Sequence, residues 1–126
     1  MKNINKLIVV LALLSTTVFA QTKWNFDKSH SEIGFSVTHM LIAETDGFFK
    51  DYDGTIESTN DDFQNAKINF EAKTASIFTD NEKRDNHLRS DDFFNAEKFP
   101  TLTFVSKSFT KVEGKNYKLV GDLTIK

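Results

Sequence analysis

The residues best able to do chemistry are concentrated in one connection of the chain, from Arg84 to Phe104, where histidine, arginine and acidic side chains surround paired phenylalanines. Arg84, His87 and Arg89 could bind the anionic or phenolic head of an amphiphile, because a guanidinium presents fixed donors that suit phosphate or carboxylate. Alternatively, both arginines pair with neighbouring carboxylates and hold the connection against the rest of the fold. The carboxylates in question are Asp85, Asp91 and Asp92. These acids outnumber the arginines, so the sequence favours pairing, although the two roles are compatible.

A catalytic site could be assembled from Asp27, His30 and Asp85 with a serine as the nucleophile. The candidate serines are Ser29, Ser31 and Ser90. None of them lies in a Gly-x-Ser-x-Gly turn, and the chain has no HExxH pair, no phosphate-binding loop and no cysteine. A structural role suits them better, since Ser29 follows the turn former Asp27 and Ser90 can cap a short segment. The sequence therefore gives only a weak signal for an acyl-transfer enzyme.

The histidines are the candidate ligands for a soft metal, and three imidazoles with an open position would suit catalytic zinc. His30 and His39 are nine residues apart, so on one regular strand their side chains would point to opposite faces. His87 belongs to a different element. The sequence favours histidines that hydrogen-bond to buried neighbours, and it predicts neither a metal site nor a cofactor.

Apolar residues recur with a period of two along much of the chain, which is typical of strands with one wet face and one dry face. The clearest alternation runs from Ala66 to Lys73, and further runs begin at Ile33, Leu102 and Tyr117. Five or six antiparallel strands, with short helices in the connections, are therefore expected. The dry face of these strands would contain Ile33, Phe35, Val37, Phe70, Leu119 and Leu123.

The alternation also predicts that Phe48, Tyr52 and Ile56 share one strand. Gly54 interrupts this strand, and its missing side chain indicates a bulge or a sharp bend.

Two connections have a helical pattern. Residues 40–46 predict a helical turn that Gly47 ends, and residues 79–90 predict a helix in which Thr79 and Glu82 form a capping box.

The segment from Arg84 to Phe94 is predicted to close as a lid over an opening of the fold. A charged helix that leads into an aromatic pair would bury the side that carries the aromatic rings. We therefore expect Phe93 and Phe94 to face inward, and Asp85 and Arg89 to face outward or to pair at the rim.

Residues 1–20 predict a secretory signal peptide. A lysine-containing start precedes the apolar stretch Leu7 to Leu14, and Val18-Phe19-Ala20 places small residues for cleavage after Ala20. The apolar stretch is too short to span a bilayer with margin, and no second one follows. We therefore expect residues 21–126 to be a single exported domain in a bacterial periplasm, with no integral membrane segment and no disulfides.

Composition limits the ligands further. The net charge of −2 gives no electrostatic footprint for nucleic acid. The thirteen phenylalanines are unusual, because each supplies a large apolar area with few rotatable bonds. They could fill a core or line a cavity, and composition does not decide between the two.

Several motifs, in order along the chain, together resemble a known family. They are Trp24-Asn25-Phe26-Asp27 with Ser29-His30-Ser31, the segment Ile33 to Met40, Gly47-Phe48-Phe49 with Tyr52-Asp53-Gly54, the segment Arg84 to Phe94 with Phe99-Pro100, and Leu119 to Thr124. From Trp24 onward the chain resembles the YceI-like family of bacterial lipid-binding proteins. The resemblance implies a lipocalin-like antiparallel β-barrel, no catalysis, and a long isoprenoid or similar lipid in the barrel lumen.

A closed small barrel needs about eight strands, whereas the alternation predicts five or six. We therefore expect a barrel that lacks its C-terminal strands and has an unpaired last edge.

Two other functions remain open: an exported hydrolase or metal-dependent enzyme on a barrel scaffold, and a structural or interaction barrel with a filled core.

Overall fold

The computed structural model describes residues 20–39 and 43–126. These residues form eight strands, one α-helix and one 3-10 turn. The strands are β1 (Thr22–Asn25), β2 (Gly34–His39), β3 (Ala43–Phe49), β4 (Tyr52–Ser58), β5 (Lys67–Lys73), β6 (Ile77–Phe78), β7 (Thr101–Glu113) and β8 (Asn116–Thr124). The 3-10 turn is Thr74–Ser76, and the helix α1 is Glu82–Arg89. The predicted signal peptide lies outside the described residues, except for Ala20.

The strands form two antiparallel sheets. The larger has the order β1-β4-β5-β7-β8, and the smaller has the order β2-β3-β6. Within the part of the chain that the structure describes, the sheets do not close into a barrel, and one edge of β2 and one edge of β8 have no strand partner. The expected all-β antiparallel fold with an incomplete barrel is confirmed.

The chain passes between the sheets at one corner. Lys50 and Asp51 link β3 to β4, and their backbone N–H groups donate to the carbonyl oxygen and the hydroxyl of Ser76, at 3.1 and 3.0 Å. Ser76 lies in the connection between β5 and β6, where the chain crosses back from the larger sheet to the smaller one. Both crossings are therefore held together by hydrogen bonds from two backbone N–H groups to the carbonyl oxygen and the hydroxyl of Ser76.

The core lies between the two sheets at the end where this corner is formed. Its buried members come from β3, β4, β5, β6 and β7: Phe49, Tyr52, Ala72, Ile77 and Leu102. Partly buried residues pack around them: Phe26, Ile33, Phe35, Phe70, Leu88 and Phe94. The hydroxyl of Tyr52 donates to the carbonyl oxygen of Ser31, so the one polar atom of this aromatic core residue is satisfied.

Three expectations about the elements were wrong. Residues 43–46 are not helical but belong to β3, where ladder pairing with β2 decides their conformation; residues 40–42 lie outside the described residues. Phe48 and Tyr52 do not share a strand, because the chain crosses between sheets at Lys50 and Asp51. Thr79 is not the helix cap, since α1 begins at Glu82 and the Asn81 side chain accepts from the backbone N–H of Arg84.

Gly54 marks neither a bulge nor a bend, because the register of β4 with β5 is continuous through it. Its role is to leave space. A Cβ atom there would lie 2.8 Å from the ring of Phe26 and 2.8 Å from the carbonyl oxygen of Asn69. The glycine therefore lets a phenyl ring rest directly on the strand backbone.

None of the helices among the described residues is long and apolar enough to cross a bilayer.

Candidate functional site

One face of the five-stranded sheet is uncharged over three successive rows of residues. The first row is Tyr52, Ala72 and Leu102; the second is Gly54, Phe70, Phe104 and Leu123; the third includes Trp24 and Ile56. The opposite face of the same strands is polar, and it presents Asp53, Glu71, Asn69 and Asp122. We call the three uncharged rows the apolar face.

Aromatic rings cover the middle of the apolar face. Phe70 and Phe104 stack with their ring centroids 5.2 Å apart and their planes 13° from parallel. Gly121 lies under Phe104 in the next strand, and a Cβ there would lie 2.4 Å from that ring. The same arrangement recurs at Gly47 beneath Phe35. Glycines in neighbouring strands thus allow the rings to lie flat on the sheet.

The six residues predicted to line a lumen separate into two groups. Ile33, Phe35 and Phe70 are partly buried and pack against the core. Val37, Leu119 and Leu123 are 51%, 42% and 55% exposed. The first group helps to fill the space between the sheets, while the second presents apolar surface to solvent. Whether any of the six contacts a lipid remains a prediction.

Sequence reasoning missed three members of this aromatic surface. Trp24 and Phe26 alternate with Lys23 and Asn25, and Phe104 continues the alternation of Leu102. The alternation could have identified them, but the first run is only four residues long in the structure.

A buried carboxylate attaches α1 to the end of β6. Asp85 is 4% exposed, and its Oδ1 accepts from the backbone N–H of Thr79 at 2.9 Å and from the Thr79 hydroxyl at 2.6 Å. Arg84 completes the arrangement by donating to the Thr79 hydroxyl oxygen and carbonyl oxygen, both at 2.7 Å. The expectation that Asp85 faces outward or pairs at the rim was wrong, because Thr79 needs an acceptor within the fold.

Arg89 holds the other end of the helix. Its guanidinium donates to the carbonyl oxygens of Ala75 and Ile77, at 2.8 and 3.0 Å, and to the side-chain oxygen of Asn86 at 2.9 Å. The predicted ion pairs of Arg84 and Arg89 with neighbouring acids are therefore not formed. Carbonyl oxygens and polar side chains take the place of carboxylates, and both arginines still hold the connection to the sheet.

The two phenylalanines of the predicted lid face different environments. Phe94 packs edge-on against Phe49 at 5.7 Å between centroids and belongs to the partly buried shell of the core. Phe93 is 49% exposed and packs edge-on against His87 at 5.0 Å. The expectation that both rings face inward was therefore wrong for Phe93. Phe94 and Leu88 form a fixed cap at what we call the closed end of the fold.

The side-chain contacts of His30 and His87 are at the surface. Nδ1 of His30 lies 2.7 Å from Oδ2 of Asp27, and Nε2 of His87 lies 3.1 Å from Oδ2 of Asp92. The hydrogen bond to His30, helped by the backbone N–H of Ser29, holds the pKa of Asp27 below its usual range. Both pairs are largely exposed.

Ser90, one of the three candidate nucleophiles, is not hydrogen-bonded to an imidazole. The hydroxyl of Ser90 donates to the carbonyl oxygen of His87 and so ends α1, rather than approaching an imidazole. A cleft of about 540 Å³ on the smaller sheet is lined by Glu32, Asp46 and Asp80 together with Phe48 and Phe78. Among the described residues, no group of three or more acidic or histidine side chains could hold a metal ion.

Comparisons with known proteins identify a family model and relatives that match this chain. A family model described as "YceI-like domain" matches residues 24–126. A UPF0312 protein of Staphylococcus aureus (strain MRSA252) is 41% identical over 105 residues, which cover 83% of this chain and 58% of the relative. A UPF0312 protein of Staphylococcus epidermidis (strain ATCC 12228 / FDA PCI 1200) matches with the same identity and coverage. The chain thus spans less than two thirds of the length of these relatives.

Two solved structures resemble the chain. The crystal structure of the Campylobacter jejuni YCEI protein has 40% identity and a TM-score of 0.61, covering 79% of this chain and 58% of that protein. The crystal structure of Burkholderia cenocepacia BcnA has 23% identity and a TM-score of 0.71, covering 79% and 62%. The second likeness concerns the fold alone.

We predict that Asp85→Ala destabilises the fold by about 2–3 kcal/mol, because the buried N–H and hydroxyl of Thr79 lose their acceptor. Urea denaturation provides the measurement. The control is Asp92→Ala, which removes the same charge from an exposed position and should stay within about 0.5 kcal/mol of the wild type. Equal effects of the two substitutions would show that the Thr79 hydrogen bonds do not attach the helix.

Phe94→Ala and Phe93→Ala form a matched pair of adjacent substitutions. We expect Phe94→Ala to cost about 2–4 kcal/mol, since it leaves a cavity against Phe49, and Phe93→Ala to cost less than about 1 kcal/mol. Thermal unfolding followed by circular dichroism distinguishes them. A larger loss for Phe93→Ala would contradict the assignment of Phe94 as the cap.

The Asp27 carboxyl is expected to titrate below the usual aspartate range, and His30→Ala should raise its pKa toward that range. Because folding lowers this pKa, ionised Asp27 stabilises the fold above its unfolded-state pKa, and the contribution disappears as the pH falls through the folded-state pKa. Carboxyl chemical shifts recorded across a pH series measure both values. Identical titration of Asp27 in the wild type and in His30→Ala would exclude His30 as the cause.

Proposed function

Because the chain belongs to the YceI-like domain family, we propose that it is a non-catalytic protein that binds a long-chain lipid, an isoprenoid or a similar amphiphile, against the apolar face of its partial barrel. The family membership supports lipid binding by a barrel-type fold. The identity of the lipid as an isoprenoid is proposed from the aromatic rings of the apolar face.

The observation on which the proposal depends is the apolar face itself. Its three rows contain no charged side chain, although 27% of the residues of the chain are charged. Trp24 and Leu123, at the two sides of this face, are 50% and 55% exposed. A strand face that needed only to be soluble would place polar residues at such half-exposed positions, so this pattern favours an apolar ligand.

Binding would be driven by burial of the lipid tail and not by specific polar contacts. Each methylene of a lipid tail that leaves water for such a surface contributes about 0.8 kcal/mol. A long tail laid across the Phe70–Phe104 stack would therefore bind without any charged contact. Flat aromatic faces suit the planar double bonds of an isoprenoid, because they offer wide contact with few rotatable bonds.

The polar head of the lipid has less support from the geometry than the tail. The guanidiniums of Arg84 and Arg89 already donate to Thr79, Ala75 and Ile77. His87 is exposed and next to Phe93, so it is the member of the predicted rim that remains suited to a head group. We place the tail on the apolar face and leave Phe94 as the cap of the closed end.

Export to a bacterial periplasm is part of the same proposal. The pattern of residues 1–20 supports it. A periplasmic location would bring the protein close to membranes that contain long-chain isoprenoids.

The experiment uses Trp24, the sole tryptophan of the chain, as a reporter on the apolar face. Titration of the purified chain with an isoprenoid quinone should quench Trp24 fluorescence in a saturable manner. Leu123→Asp should weaken binding by about tenfold or more, because it places a carboxylate on the apolar face. The control is Thr124→Asp, which places the same charge on the polar face of the same strand.

The proposal fails if quenching of the wild type does not saturate, or if Leu123→Asp binds the quinone as well as Thr124→Asp does. Circular dichroism spectra of both variants show whether the fold is retained.

A further inference from the structure

The loop between β4 and β5, residues 59–66, covers the apolar face at the end opposite the closed end. Ser58 continues the alternation of Gly54 and Ile56 along β4, so its side chain lies on the side of the apolar face. The Ser58 hydroxyl donates to the carbonyl oxygen of Asn60 at 2.8 Å and accepts from the backbone N–H of Asn60 at 3.1 Å. The loop therefore turns toward the apolar face where β4 ends.

The loop has contacts on both sides of the described five-stranded sheet. The ring of Phe63 packs on Trp24 of β1, with 5.8 Å between the ring centroids and 52° between the ring planes. The hydroxyl of Tyr117 in β8 donates to the carbonyl oxygen of Asp62 at 2.7 Å. These contacts hold the aromatic ring of the loop against the outermost aromatic residue of the apolar face.

Phe63 is held in an unusual backbone conformation. Its φ angle is 57°, in the left-handed region that a bulky side chain rarely adopts. Its backbone N–H donates to the carbonyl oxygen of Asn60 at 3.1 Å, and its carbonyl oxygen accepts from the N–H of Ala66 at 3.0 Å. A strained residue of this kind persists only where its surroundings fix it, and such residues cluster at ligand-binding sites.

Burial along β5 shows that the apolar face is covered at two ends and more open between them. Ala66, just before the strand, and Ala72, in the core, are buried, whereas Ile68 and Phe70 between them are partly exposed. We call this part of the apolar face, from Ala66 to Ala72, the trough. Its length is about 20 Å, from a rise of about 3.4 Å per residue. The trough ends at the core on one side and at the Phe63 loop on the other.

The apolar surface stops at the ring pair of Trp24 and Phe63. A cavity of about 160 Å³ lies there, and its other lining residues are polar: Thr22, Ser58, Thr59, Asn60 and Asp61. A lipid tail that continued past Phe63 would leave apolar cover and displace water from hydroxyl, amide and carboxylate groups, which is unfavourable.

We propose that Phe63 is an end stop that sets the length of the lipid tail for which the protein is specific. This inference rests on the proposed function, since it concerns the same apolar face. Each isoprene unit added to a tail increases the affinity until the tail fills the trough, and further units add nothing. A phenyl ring and an isoprene unit are similar in size, so removal of the Phe63 ring creates room for one more unit.

Native mass spectrometry of the purified chain with equimolar pairs of isoprenoid quinones tests this, because quinones that differ by one isoprene unit differ in mass. The wild type should favour the longer quinone of each pair up to a limiting tail length, and show no preference beyond it. At that limit, Phe63→Ala should raise the bound ratio of the longer to the shorter quinone by about tenfold. Phe63→Trp should move the limit to a shorter tail. The ratio within a pair does not depend on how much of each variant is folded.

The matched control is Phe78→Ala, which removes the same ring from the smaller sheet, where Phe78 packs on Phe48. It should leave the limiting tail length unchanged. The inference is overturned, with the proposed function intact, if the wild type binds quinones without a limiting length, or if neither Phe63 variant moves the limit. If the wild type takes up no quinone of any length, the proposed function fails and the end stop fails with it.

Discussion

Helix α1 is attached to the fold by hydrogen bonds that converge on the end of β6, and this attachment determines which end of the space between the sheets is closed. Asp85 and Arg84 meet at Thr79, and Arg89 reaches Ala75 and Ile77. These side chains satisfy three carbonyl oxygens, those of Ala75, Ile77 and Thr79, together with the backbone N–H and the hydroxyl of Thr79. With the helix fixed in this way, Leu88 and Phe94 pack against the buried core, and Phe94 contacts Phe49.

The apolar face lies on the larger sheet, and its outer members are exposed to solvent. Stacked rings resting on glycines make that face flat, wide and uncharged, whereas the opposite face of the same strands is polar. The side chains of this face therefore have two roles. The rings near the corner complete the core, and the residues farther along present apolar surface that a lipid tail could cover.

Periodicity predicted the strands that have long alternating runs, such as β5 and β8, because each of them has a wet face and a dry face. It could not find β1 or β6, which are four and two residues long, too short for a period to be visible. The way in which α1 is attached to the sheet could also not be predicted from the sequence. Thr79 and Asn81 are both suitable caps, and only the buried contact of Thr79 with Asp85 leaves the capping position to Asn81. The partners of both arginines are largely backbone carbonyl oxygens, which no pattern of side chains reveals.

Native mass spectrometry of the gently purified chain tests most directly whether the apolar face holds a lipid, as we propose. We expect a species heavier than the polypeptide by the mass of one long-chain lipid, or uptake of an isoprenoid quinone or a polyprenyl phosphate when these are added. A homogeneous species with the mass of the polypeptide alone, which takes up neither compound, would contradict it.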